Sequence, residues 1–238
     1  GGDEMKTLIF LFLLFALSPC IFSEISVIDI KGEVYAFSED GQKISLKKGD
    51  TIERGYTVVS STGSYLEMMM DNIGVVILYE NTRFVLQKDT RNKTTSLIDW
   101  IFGVRELNAD EGEGIFDSLY GKAVFVLKNL FGVRYNVKTI QAVCGVRGTS
   151  FFVNSDDKLS EIGVYKGEVE VAKGDTKMVI RKNQTAYVTE TEIKIENRLS
   201  RIAKKERERA LKVEKYFENI RKKIEERNTK INKRLGKN

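Results

Sequence analysis

Carboxylates cluster at three places in this chain: Asp71-Asn72, Asp110-Glu111-Gly112-Glu113 and Asp156-Asp157. Paired acids can divide acid and base work in a glycosidase, or they can hold calcium. A calcium loop needs oxygen ligands at alternating positions closed by a bidentate Glu, which none of the three supplies, so each reads as a solvated turn. The 238 residues contain no histidine. That removes Ser-His-Asp and Cys-His machinery and His-ligated zinc or haem, and it leaves no side chain that titrates near neutrality at its ordinary pKa. Two cysteines, Cys20 and Cys144, are too few for a tetrahedral thiolate site. Cys144 lies in the apolar run Val143-Cys144-Gly145-Val146 and reads as a buried small hydrophobe. Phosphate-cradling glycine loops are absent. The composition therefore points to a binding or structural protein with no cofactor, no metal and no catalysis; a carboxylate-based hydrolase is the remote alternative.

The segment Gly145-Val146-Arg147-Gly148-Thr149 offers recognition instead of catalysis. An exposed Arg147 beside a glycine turn could grip a carboxylate or phosphate through a bidentate contact. The structural reading is stronger, because polar groups in tight β turns are usually spent on the backbone. In that reading Gly148 supplies a positive-φ corner, Thr149 starts a strand, and Arg147 meets carbonyls or a carboxylate such as Glu161 or Glu168.

The elements that carry these residues fall into three parts. After Met5, the expected biological start, Lys6 precedes the apolar run Leu8–Leu17, then Pro19, Cys20 and Ser23. A cation, a short hydrophobic core and small residues are the parts of a secretory signal, and the run is shorter than the roughly 20 apolar residues that span a bilayer. Residues 1–23 are therefore expected to be removed by cleavage after Cys20 or Ser23. Export to the periplasm, cell surface or medium follows; lipid on Cys20 is the lesser alternative, because Pro19 stands where a small residue is usual. Of the chain's 39 Lys and Arg and 34 Asp and Glu, the stretch 194–238 holds 17 and 7, so the tail is +10 and the remainder −5.

Residues 24–193 read as a β body. Runs at 34–37, 65–70, 74–79, 83–86, 123–127, 133–137, 150–153 and 168–171 are β-branched and aromatic, and turn signals such as Asp40-Gly41 and Lys173-Gly174-Asp175 punctuate them. That spacing, with no helical pattern between the runs, indicates a mainly β fold, solenoid-like or sandwich-like. Residues 97–120 break the rhythm and read as an insertion. Lys31-Gly32-Glu33-Val34 returns as Lys166-Gly167-Glu168-Val169, which suggests that one strand-Gly-strand unit is used twice.

The tail reads as a long basic helix. Ala210, Val213, Phe217, Ile220, Ile224, Ile231 and Leu235 recur at three- to four-residue spacing for most of its length, with Asn197 as the expected N-cap. Glu206, Arg227 and Asn228 interrupt the stripe and argue against a tight coiled coil. Lys204, Lys205, Arg207, Lys212, Arg221, Lys222 and Lys223 would suit an anionic partner, whether lipid head groups, cell-wall polymer or an acidic protein. Nucleic acid is not expected for an exported chain.

The run Gly145-Val146-Arg147-Gly148-Thr149-Ser150-Phe151-Phe152-Val153, preceded by Tyr135-Asn136-Val137-Lys138-Thr139 and followed by Val164-Tyr165-Lys166-Gly167-Glu168-Val169, resembles the core signature of the FecR domain. The likeness extends over about 25–190. It implies an extracytoplasmic, solenoid-like β domain without catalysis. The namesake regulators of that family span a membrane, hear a signal outside and control a sigma factor inside. For this chain the expectation is a stand-alone exported FecR-like domain that binds a protein, a glycan or an envelope component, with the helical tail as tether. A periplasmic regulator of the sigma-factor-controlling type is the alternative.

Overall fold

The structure is a computed structural model and describes residues 25–70, 74–87, 116–128 and 135–234. The expected signal segment, the clusters at Asp71-Asn72 and Asp110-Glu113, and residues 97–115 of the expected insertion lie outside these residues. The described chain is mainly β with one C-terminal helix, and its strands form two layers that share a long strand.

The first layer runs β4 (Thr51–Ile52), β1 (Ile25–Lys31), β6 (Tyr65–Met70), β7 (Gly74–Leu78), β9 (Phe116–Leu127), β12 (Ser150–Ser155), β13 (Ser160–Lys166), β16 (Thr185–Val188), β17 (Ile193–Glu196). The second runs β3 (Lys43–Ser45), β2 (Val34–Phe37), β5 (Thr57–Ser60), β8 (Thr82–Leu86), β9 again, β10 (Tyr135–Lys138), β11 (Val143–Val146), β14 (Glu168–Lys173), β15 (Thr176–Arg181). Neighbours are antiparallel except β9 with β10. The units β1–β2, β5–β6, β7–β8, β11–β12, β13–β14 and β15–β16 each cross from one layer to the other at a corner, and β9 does so within a single strand. In cross-section this is the sandwich-like arrangement.

The corners explain the sequence repeat. Gly32 between β1 and β2 and Gly167 between β13 and β14 both have positive φ, 75° and 81°. Each faces a hydroxyl of the neighbouring unit: the Glu33 N–H donates to Ser64 Oγ at 2.8 Å, and Thr149 Oγ1 donates to the Glu168 carbonyl at 2.8 Å. Asn81 and Asn183 hold the same left-handed conformation at two further corners, which their short polar side chains tolerate.

One apolar core fills the space between the layers. Phe84, Phe116, Phe125 and Phe151 form its centre, with ring centroids 5.4 Å apart for Phe84–Phe116 and Phe116–Phe125 and 4.8 Å for the stacked pair Phe125–Phe151. Phe116 and Leu119 are fully buried, so Phe116–Tyr120 is the first half of β9 and not insertion. Two short apolar positions three apart gave too little alternation to reveal this.

The helix α1 (Arg201–Arg234) lies on the outer face of the first layer. Val75, Ile77, Val124, Val126, Phe152 and Tyr165 pack there against Leu199, Ala203, Ala210, Val213 and Phe217. This second cover is why β7 is buried along its whole length where β6 alternates, and why Val75–Leu78, Ala123–Leu127 and Phe151–Val153 read as continuous apolar runs. The closest approach is at Gly163, where a Cβ would stand 2.9 Å from Ala203 Cβ. The sequence placed the body–tail boundary at 193/194 and the N-cap at Asn197. Strand β17 instead continues to Glu196, and Ser200 is the cap: its Oγ accepts the Ala203 N–H at 2.9 Å. Asn197 turns aside and accepts from Gln184 Nε2 at 2.7 Å.

Candidate functional site

The Arg147-Gly148-Thr149 corner is built from β11 and β12. Gly148 has φ 62°, as the structural reading required. Thr149 is fully buried and its hydroxyl ties the corner to Glu168, while a Cβ on Gly167 would press on that hydroxyl at 3.1 Å. Gly145 and Val146 are buried in β11. Arg147 is exposed and, among the described residues, its side chain has no hydrogen-bonded or ionic partner. The expected acids are engaged elsewhere: Glu168 faces Arg181 at 3.8 Å, and Glu161 accepts a hydrogen bond from Ser200 Oγ. Thr149 and the two glycines are thus spent on the fold.

A polar seam under α1 is the larger constellation, and the sequence did not reveal it. Lys122 Nζ lies 3.3 Å from Glu206 Oε1 and 4.6 Å from the Tyr79 ring centroid. Arg209 Nε donates to Glu67 Oε1 at 2.9 Å, and its guanidinium sits 4.1 Å from the Tyr65 ring centroid. The Tyr65 hydroxyl in turn donates to the Asp29 carboxylate, a bond that holds this acid below its usual range. Tyr165 donates to the Ala203 carbonyl at 2.7 Å, and the buried Tyr79 hydroxyl faces the Glu206 carboxylate. Burial first, and the Glu206 carboxylate second, push both of these phenols well above the ordinary tyrosine value. Glu206, which interrupts the apolar stripe in the sequence, is therefore a buried member of the docked face, and Lys122 is the reason it can be there.

Removing one partner of this pair isolates a buried charge. Lys122→Met is expected to lower stability by about 3 kcal/mol, and the double change Lys122→Met with Glu206→Met is expected to recover most of the loss. Thermal melts of the two singles and the double decide it; a double that merely adds the two losses would show the pair is uncoupled.

A second buried acid, in β13, meets the helix start. Glu161 is 5% exposed, and burial raises its pKa, opposed by the Ser200 hydroxyl. Its folded pKa stands above the unfolded value, so the protonated form favours the fold, and that contribution fades as pH rises through the folded pKa. Glu161→Gln is therefore expected to raise the melting temperature at pH 8 and to change it little at pH 4, read by melts across that range. A larger gain at pH 4 would reverse the sign.

The seam opens into a cleft of about 800 Å³ beside the first turns of α1, lined among others by Tyr120, Lys122, Asp156, Arg201, Lys205 and Glu206. Asp156 accepts the N–H groups of Lys158 at 2.8 Å and Leu159 at 2.9 Å, which lower its pKa and make it a turn cap, as its place in a loop suggested. Cys144 is buried and its thiol is pushed up to about 12 by burial, so it is inert. Among the described residues no group of three or more Cys, Asp or Glu could hold a metal ion. Of the tail cations, Lys204, Lys205 and Lys212 are exposed and Arg207 is half-buried. Arg221, Lys222 and Lys223 belong to α1, and their side chains lie outside the description. No helix among the described residues is long and apolar enough to cross a membrane.

A two-layered β domain of corner-bent units, with Gly-Thr and Gly-Ser corners and a helix docked on one face, is the class of molecule these features define. Residues 56–170 match the family model described as FecR protein, so that stretch is similar to the FecR domain. No curated protein matches it. Two crystal structures of a candidate anti-sigma factor from Parabacteroides distasonis, at 1.65 and 2.50 Å resolution, are similar at 22% identity and a TM-score of 0.47. The alignment covers 60% of this chain and 59% of each of those chains.

Proposed function

We propose that this protein is an exported FecR-type signalling regulator, whose β domain works by binding a protein partner and performs no reaction of its own. The observation that carries the reading is the FecR match over residues 56–170, which includes the Arg147-Gly148-Thr149 corner. The chemistry of the side chains supports it. Glu206 and Glu67 are consumed by ion pairs with Lys122 and Arg209, Asp156 caps a turn, and the thiol of Cys144 is buried. Export rests on the cation, apolar run and small residues between Lys6 and Ser23. A regulator of this type acts through a sigma factor, so deletion of the gene should shift one coherent set of transcripts, restored by the full chain. Unchanged transcripts would sink the regulator and leave a binding protein for a glycan or envelope component. Export is read separately, by intact mass from the envelope fraction: a chain starting at Ile21 or Glu24 supports it, and one starting at Met5 contradicts it.

A further inference from the structure

Strand β15 is an open edge of the second layer: it pairs with β14 on one side and with no described strand on the other. Only Ile180 of its six residues is buried; Met178 and Val179 are exposed at 38% and 41%. The direction of its backbone groups follows from Arg181. The Arg181 N–H donates to Gln184 Oε1 at 2.7 Å and the Arg181 carbonyl accepts the Gln184 N–H at 2.9 Å, both away from β14. Backbone groups alternate along a strand, so Lys177 and Val179 also present their N–H and C=O outward. Among the described residues these groups have no backbone partner.

We infer that β15 is a docking edge that accepts one extended, acidic segment of a partner protein as an added strand. This rests on the reading of the chain as a protein-binding regulator. Main-chain bonds to Lys177 and Val179 would hold the segment, and the side chains would choose it. Lys177 and Arg181 flank Val179 on the outer face, and Lys182 follows at the end of the strand. A strand with an acid beside Lys177, an apolar residue beside Val179 and an acid that shares the exposed Arg181 with Glu168 meets three favourable cross-strand contacts. A second copy of this chain does not: two β15 edges would oppose cation to cation, and the other edge of the same layer, β3, carries Lys43 and is followed by Lys47 and Lys48. Lysine on an edge also guards against self-association, so the test must separate a guard from a docking edge.

The full chain is titrated with two fluorescent, end-blocked peptides of alternating Glu and Val or alternating Lys and Val, at low salt, and amide exchange is followed by NMR. The Glu peptide is expected to bind and slow exchange at Lys177 and Val179 by about tenfold, and the Lys peptide to do neither. Val179→Pro removes one outward N–H at a position where an edge strand tolerates proline, and should abolish binding while the melting temperature holds. Lys177→Glu should shift preference towards the Lys peptide. Binding of neither peptide, or of both alike, or unchanged binding by a folded Val179→Pro chain would each overturn the proposal and leave the lysines as a guard. The transcript experiment is independent: a deletion phenotype with no peptide binding removes only the docking edge, and peptide binding without a phenotype removes only the regulator.

Discussion

Truncation after Glu196 is expected to abolish cooperative folding. The sequence alone suggested the opposite, since a basic amphipathic tail beside a complete β body reads as a removable tether. In the structure the first half of α1 covers Val75, Ile77, Val124, Val126, Phe152 and Tyr165. Each such side chain is worth about 1.5–3 kcal/mol when fully buried. Exposing several at once therefore rivals the whole net stability of a domain, about 5–15 kcal/mol. It also strands Lys122 and Glu67 without Glu206 and Arg209. The truncated chain should lose its sigmoidal melt and bind a hydrophobic dye. A chain ending at Asn219 keeps Ala203, Ala210, Val213 and Phe217 and should melt within a few degrees of the full protein. A cooperative, unshifted melt of the shorter chain would restore the tether.

What the sequence disclosed and what it hid divide along a physical line. Strands buried on one face, such as Tyr65–Met70, announce themselves by alternation, and β2 and β6 stand where their patterns put them. Strands covered on both faces are apolar throughout, and Gly74–Leu78 was visible as a strand although nothing in it named the helix as its second cover. Corner-forming residues were legible at Gly148, within the Arg-Gly-Thr run, and where a glycine repeated, at Gly32 and Gly167. Thr82 and Ser64 make equivalent contacts and look like ordinary strand-edge hydroxyls. The seam was illegible for a different reason: Lys122 and Glu206 are 84 positions apart, and each alone is a surface charge by type. The broken stripe at Glu206 was the one signal available. A charge on the apolar face of a helix points either to a partner charge across the interface or to a helix that does not pack, and only the fold distinguishes them.

Two glycine corners that look alike in sequence should answer differently to the same substitution. Gly148 has φ 62°, inside the left-handed region that Asn81 and Asn183 also occupy. Gly148→Ala is therefore expected to cost about 1–2 kcal/mol, the price of a Cβ in that conformation. Gly148→Asn should recover part of it. Gly121 turns β9 from one layer into the other at φ 105°, and a Cβ there would stand 2.6 Å from Thr82 Cα, 2.6 Å from Thr82 Oγ1 and 2.8 Å from the Asn81 carbonyl. The obstacle is backbone, held in place because Thr82 Oγ1 accepts the Lys122 N–H at 2.9 Å and lies 3.1 Å from the Lys122 carbonyl. Gly121→Ala must push two neighbouring units apart and break that tie, beside the residue that neutralises Glu206. A loss above about 3 kcal/mol is expected, in the range of overpacking combined with broken buried hydrogen bonds. Gly121→Asn should do no better, because the constraint is space as well as φ. Denaturant melts of the four variants separate the two cases, and equal losses for Gly121→Ala and Gly148→Ala would show that conformation alone governs both corners.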